Sequence, residues 1–159
     1  MKKSGVFAVG ALLGGLIGFT TGKGLNDSDT KTNKNDKFRS YYNVLNQWLY
    51  LKHNNKNLSE YFEKMEYRRI GIYGLGELGN RLIDELRDTK TEVVYGVDKN
   101  INNVFCPVST FVLEELSNVE EDIDAMVVTP IFAYEEVLSA LKDKVDCDIV
   151  SLEDVVFDL

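Results

Sequence analysis

Arg69-Ile70-Gly71-Ile72-Tyr73-Gly74-Leu75-Gly76-Glu77-Leu78-Gly79-Asn80 places three glycines in G-x-G-x-x-G spacing between two different apolar patterns. Before the glycines, residues 69–73 alternate and are apolar enough to form a strand. After them the pattern changes to a helix through residue 86, with Leu78, Leu82, Ile83 and Leu86 on its buried side. The spacing alone is a weak signal, but a strand–glycine loop–helix order is what a phosphate cradle requires. Gly74 is expected to make the tight turn, Gly76 to let backbone approach a pyrophosphate, and Gly79 to let helix and strand pack closely. The free N–H groups and positive dipole end of the helix then face an anion. Glu77 and Leu78, between the second and third glycines, belong to the same candidate site.

Working outward, Glu92-Val93-Val94-Tyr95-Gly96-Val97 reads as a second strand, and it ends in Asp98. That acid follows Gly74 at about the interval where a ribose-binding carboxylate belongs. It would accept the ribose hydroxyls and repel a 2′-phosphate, favouring NAD over NADP, a preference that Lys99 softens. Tyr95 and Lys99 spell Y-x-x-x-K, but on a strand and its exit turn they would not share a face, so they are rejected as a catalytic pair.

Alternation continues downstream. Val104-Phe105-Cys106-Pro107-Val108 is expected as a strand, residues 110–116 as a short helix capped by Ser109, and residues 125–130 as a buried strand. An amphipathic helix over 132–141 should turn Phe132, Val137, Leu138 and Leu141 inward. A last strand over 147–151 and a helical turn over 153–157 follow. Such alternation implies a small doubly wound α/β parallel sheet with right-handed crossovers, and a ligand crevice at the C-terminal strand ends near Gly74, Asp98 and Thr129. The acidic run Glu120-Glu121-Asp122-Ile123-Asp124 reads as a solvated face.

IYGLGELGNRLIDEL followed by VVYGVDKN resembles the NAD(P)-binding Rossmann modules of sugar-processing oxidoreductases. It resembles still more closely the small Rossmann-like modules that accompany bacterial surface-polysaccharide glycosyltransferases and sugar-modifying enzymes. The resemblance covers residues 67–159. It implies dinucleotide or nucleotide-sugar binding by Gly74, Gly76, Gly79 and Asp98, with Thr129 and Pro130 near the cofactor. NAD is the cofactor it favours, with NADP, coenzyme A or a nucleotide sugar as alternatives.

Composition sets the remaining bounds. The chain has 159 residues and a net charge of -8, with 44% hydrophobic residues, enough for one core. Residues 1–37 carry a net charge of +3, which leaves -11 on residues 38–159 and disfavours a nucleic-acid partner. Cys106 and Cys147 read as free thiols, and a single histidine, His53, cannot build a zinc site or a catalytic triad with them. Residues 5–22 are uncharged and would span roughly 27 Å as a helix, with Gly10, Gly14, Gly18 and Gly22 along one face. They are expected to be an N-terminal transmembrane anchor, with a cleaved signal peptide as the rival; basic residues after the segment place the C-terminal domain on the cytoplasmic side of the cell membrane.

Residues 23–37 are polar and are expected to be a flexible linker. Residues 38–66 form a helical preface. Phe38, Tyr41, Tyr42, Leu45, Trp48 and Leu49 make its apolar stripe, and a second helix over 58–65 is opened by an Asn57/Glu60 capping box. The functional expectation is a membrane-tethered NAD(H)- or nucleotide-binding accessory or sensor in surface-polysaccharide biosynthesis. A homo-oligomer or a glycosyltransferase is the candidate partner. Two alternatives stand: an oxidoreductase subunit acting on sugar nucleotides with a partner chain, and a vestigial scaffold for protein contacts, which the acid Glu77 in the loop favours.

Overall fold

A computed structural model describes residues 25–101 and 106–159. The chain divides into two compact units, Met1–Lys37 and Phe38–Leu159. Helices are α1 Leu25–His53, α2 Ser59–Lys64, α3 Glu77–Leu86, α4 Tyr134–Leu141 and α5 Leu152–Phe157; strands are β1 Arg69–Tyr73, β2 Glu92–Val97, β3 Ser109–Phe111, β4 Ala125–Val128 and β5 Asp148–Ser151. The five strands are parallel in the order β3-β2-β1-β4-β5, so the chain leaves β1 first to one side and then crosses to the other. This is a Rossmann-like α/β fold, and its topological switch point lies between β1 and β4.

Both sheet faces are covered. Ile70, Ile72, Ala125 and Val127 pack with Leu78, Leu82, Leu86, Phe62, Trp48 and Val155 in one core. Tyr73, Val97, Met126 and Val128 face a second core with Leu116, Val137 and Leu141. Alternate residues of β1 and β4 thus point to opposite layers, and β4 is buried along its whole length as a central strand must be.

Glu85 of α3 holds the helical preface to this body. Its carboxylate accepts from Trp48 Nε1 at 2.7 Å and from the Leu58 N–H at 2.8 Å, and it pairs with Lys52 at 3.3 Å while only 7% exposed. The two bonds expected between Asn57 and Glu60 and the backbone form one residue ahead of the N-cap of α2, which is Leu58: Asn57 accepts from the Ser59 N–H at 2.9 Å and Glu60 from the Asn57 N–H at 3.0 Å. Asp124, in the acidic run, does more than meet solvent. Its carboxylate accepts from the Arg69 and Arg68 N–H groups at 2.8 and 2.7 Å, joining the entrance of β4 to that of β1.

Several expectations are corrected. Among the described residues no helix is long and apolar enough to cross a membrane. The longest, α1, carries charged residues along its length. Among the described residues nothing therefore supports the transmembrane helix expected in the fold class, the membrane expected as partner, the tether expected in the function or the single-pass cell-membrane placement. Residues 5–22, on which that reading stood, lie outside the described residues. From Leu25 onward the expected linker is helical as part of α1. Helix propagation fixes one residue per added hydrogen bond, so polar turns extend a helix nucleated elsewhere.

The face of α1 that is buried contains Val44, Trp48 and Leu51, while Phe38, Tyr42, Leu45 and Leu49 are exposed. The third strand falls at Ser109–Phe111 rather than over 104–108, because Pro107 has no N–H for the ladder; residues 102–105 lie outside the described residues. The helix expected over 110–116 with Ser109 as its cap does not form: Ser109–Phe111 are β3, and a 3₁₀ turn follows only at Leu116–Asn118. Phe132 is exposed, because Ile131–Ala133 form a 3₁₀ turn that breaks the helical phase before α4.

Two outcomes test this frame. Glu85→Ala leaves two N–H donors without their acceptor and is expected to cost about 2 kcal/mol in urea unfolding, with Glu85→Gln intermediate. The Arg69 N–H, followed by that of Arg68, holds the Asp124 carboxyl below its ordinary pKa. A depressed carboxyl stabilises the fold above its unfolded pKa and loses that contribution as pH falls through the folded value. Asp124→Asn should therefore be less stable than wild type at pH 7, with the difference shrinking below the ordinary carboxylate range; a gap that stays constant to pH 2.5 would contradict it.

Candidate nucleotide-binding site

The loop between β1 and α3 is built by contacts that each glycine makes possible. Gly74 has φ +94°, and a Cβ there would lie 2.6 Å from Pro130 Cδ and 2.7 Å from Thr129 Oγ1. A Cβ on Gly79 would lie 2.1 Å from the Gly74 carbonyl oxygen, so the first turn of α3 rests directly on the loop. Around Gly76 there is nothing within 4 Å of where a Cβ would be. The three positions therefore differ physically: a turn, an open face and a packing contact, the division of roles a pyrophosphate loop needs.

Neighbouring groups fix the loop. The Gly74 N–H donates to the Val97 carbonyl at 2.8 Å, and the Leu75 N–H donates to Asp98 Oδ2 at 2.7 Å. Asp98 Oδ1 accepts from the Asn100 N–H at 3.0 Å. Each oxygen of that carboxylate has a second lone pair, so ribose hydroxyls could still donate to it. Thr129, 4% exposed, donates its hydroxyl to the Gly74 carbonyl at 2.6 Å. Asn80 donates its side-chain amide to the carbonyls of Leu75 and Gly76 at 2.9 and 3.1 Å. The Asn80 N–H meets the Gly76 carbonyl at 3.0 Å, which leaves the N–H groups of Glu77, Leu78 and Gly79 in the unsatisfied first turn.

A cavity of about 760 Å³ opens on this loop. Of the residues selected from sequence, Gly74, Gly76, Glu77, Leu78, Asp98, Lys99, Thr129 and Pro130 line it; Gly79 instead lies beneath the loop against Gly74. Two acids, Glu77 and Asp98, share the cavity with two cations, Arg81 and Lys99. Lys99 pairs with Glu136 of α4 at 3.5 Å, an exposed pair that a stronger anion could replace. Tyr73 also lines the cavity; burial raises its phenol pKa, and the Lys99 charge opposes the rise.

Other candidates fall away from this place. Tyr95 is 3% exposed, packs edge-on against Phe111 with ring centroids 5.7 Å apart, and has its pKa pushed up to about 12 by burial. Cys106 and Cys147 are free and half-buried, and burial, followed by the Asp148 charge, pushes the Cys147 thiol up to about 11. A thiol so placed is a poor nucleophile.

Sequence reasoning missed the opposite wall. Phe38, Tyr41, Tyr42 and Leu45 of α1 line the same cavity. The usable signal was an excess of apolar residues: α1 carries these residues as well as the buried Val44, Trp48 and Leu51, more than one buried face needs. Arg81 was also missed, although it follows Glu77 by four residues and so shares its helix face.

Exchanging the glycines separates their roles. Gly79→Ala should destabilise by about 3 kcal/mol, because its contact is with backbone that cannot rotate away. Gly76→Ala should cost less than about 1 kcal/mol, the range of an N-cap exchange without a clash. Equal losses in chemical denaturation would contradict the assignment.

No protein-family model matches the chain, and comparison with curated proteins returns no match. The strand order shows a Rossmann-like parallel-sheet α/β domain, without assignment to a glycosyltransferase or oxidoreductase group.

Proposed function

We propose that residues 38–159 form a nucleotide-binding domain whose ligand carries a pyrophosphate, with NAD as the favoured ligand. The observation that carries this reading is the contrast among the glycines: Gly74 and Gly79 have no room for a side chain, whereas Gly76 faces open space in the cavity. Packing alone explains the first two. It does not explain an open glycine at the N-cap of α3, a position where a Ser, Thr, Asp or Asn side chain would cap the helix. A pyrophosphate there would take the unsatisfied N–H groups of the first α3 turn.

Asp98 supports an unphosphorylated ribose, since its carboxylate would repel a 2′-phosphate. Glu77 opposes the anion, but its side chain is exposed and can turn toward water, where its repulsion is screened. Arg81 and Lys99 supply compensating positive charge at the same cavity. The cavity volume falls in the range of small-molecule and cofactor sites. The finer sequence resemblance, to modules of sugar-processing oxidoreductases and polysaccharide glycosyltransferases, makes nucleotide sugars the competing ligands. A Rossmann-like sheet does not specify a reaction, and the proposal is one of binding.

Thermal unfolding of the full chain with NAD, NADP, coenzyme A and nucleotide sugars tests the reading. A ligand at about one hundred times its Kd adds about 2.7 kcal/mol, which corresponds to a rise in Tm of roughly 5 °C. NAD is expected to give that rise, NADP a smaller one, and Gly76→Val, which fills the open face, none. Absence of a shift with every ligand would reject nucleotide binding. A shift with nucleotide sugars alone would move the assignment to that class.

A further inference from the structure

We infer that the exposed aromatic wall of α1 is the seat for the second ring of a dinucleotide, so that Phe38 and Tyr42 select NAD over ligands that end at the distal ribose. The inference rests on the proposed pyrophosphate site and extends it to the other half of the ligand. Phe38 is 69% and Tyr42 67% exposed, yet both line the cavity that contains the glycine loop. Their helix is held to the body by buried Trp48 and by Glu85, so the wall is carried on a fixed support.

The direction of the ligand follows from the sheet. Asp98 ends β2, so the nucleoside whose ribose it reads lies on the β2 side of β1. The remaining half must cross the switch point toward β4, whose exit provides Thr129, Pro130 and Ala133 to the same cavity. The α1 wall of the same cavity offers Phe38, Tyr42 and Leu45, all three exposed and largely apolar. A hexose would leave its hydroxyls without partners there, at a cost for each one desolvated. A flat nitrogen-containing ring would instead stack on the aromatic faces, and an oxidised nicotinamide adds a cation that those faces attract.

Titration calorimetry of the full chain with NAD, ADP-ribose and ADP, in wild type and in a Phe38→Ala/Tyr42→Ala double variant, tests this. Both side chains are exposed, so the exchange should leave the fold intact, which unfolding in urea will verify. Wild type is expected to bind NAD about ten-fold more tightly than ADP-ribose, the factor that stacking of one ring supplies. The double variant should bind NAD no better than ADP-ribose while its ADP-ribose affinity stays unchanged. Equal wild-type affinities for NAD and ADP-ribose, or parallel losses of both in the variant, would overturn the inference while leaving the pyrophosphate site standing. A change in the chain's mass in solution on making the double variant, with the preference for NAD unaltered, would overturn it in favour of a contact between copies of this chain. No binding of any of the three ligands would reject the pyrophosphate site, and this inference with it.

Discussion

The rest of the domain depends on how closely α3 approaches the end of β1. The missing side chain at Gly79 lets the helix rest against the carbonyl of Gly74, with space too small for a single methyl group. That contact sets where α3 starts. It thereby decides which residues of α3 reach the core: Leu78, Leu82, Ile83 and Leu86 are buried. It also places Glu85 where it can hold Trp48 and the turn before α2. A helix displaced by a methyl group would shift all of these together, since packed interiors do not deform continuously.

The same constraint makes the loop rigid before any ligand arrives. Gly74 donates to β2, accepts from Thr129 and supports Gly79, while Leu75 is tied to Asp98. Thr129 and Asp98 are thus positioning residues for the loop, whatever they do for a ligand. This changes how their substitution should be read. Loss of binding on removing either carboxylate or hydroxyl would mix a direct contact with a slackened loop, whereas Gly76, where a side chain would meet nothing within 4 Å, reports the open face alone. Preorganisation of this kind lowers the ordering entropy left to be lost on binding.

Features set by local chemistry were legible in the sequence. The three glycines, the alternation around them and the Asn57/Glu60 pair act over a few residues, and their physical roles follow from backbone geometry. The strand order could only be bounded, because period-two patterning does not state which neighbours pair. Beyond Pro107 the reading slipped: an apolar run looked like a strand, but a missing N–H delays the ladder until Ser109. In the apolar stripe of α1, burial selects Val44, Trp48 and Leu51 and leaves Phe38 and Tyr42 exposed. Amphipathic spacing identifies a helix; it does not say which of two adjacent apolar stripes meets the sheet. The expected flexible linker differs for another reason: it rests on composition, and composition does not reveal where a polar helix such as α1 will extend.

The exposed stripe and the acidic loop residue have a common physical explanation. An aromatic wall in water has an unfavourable hydration that folding leaves in place, and Glu77 puts negative charge where a phosphate loop would do better without it. Taken separately, each is a local defect of a nucleotide site. For the proposed ligand, the apolar wall would suit a flat cationic ring, while Arg81 and Lys99 would serve the phosphates that the ring is attached to. Opposite charges on one small cavity are then no contradiction, because a dinucleotide with an oxidised ring is itself anionic at its centre and cationic at one end. A site designed only for protein contacts would have no need for that separation, nor for a glycine kept open between them.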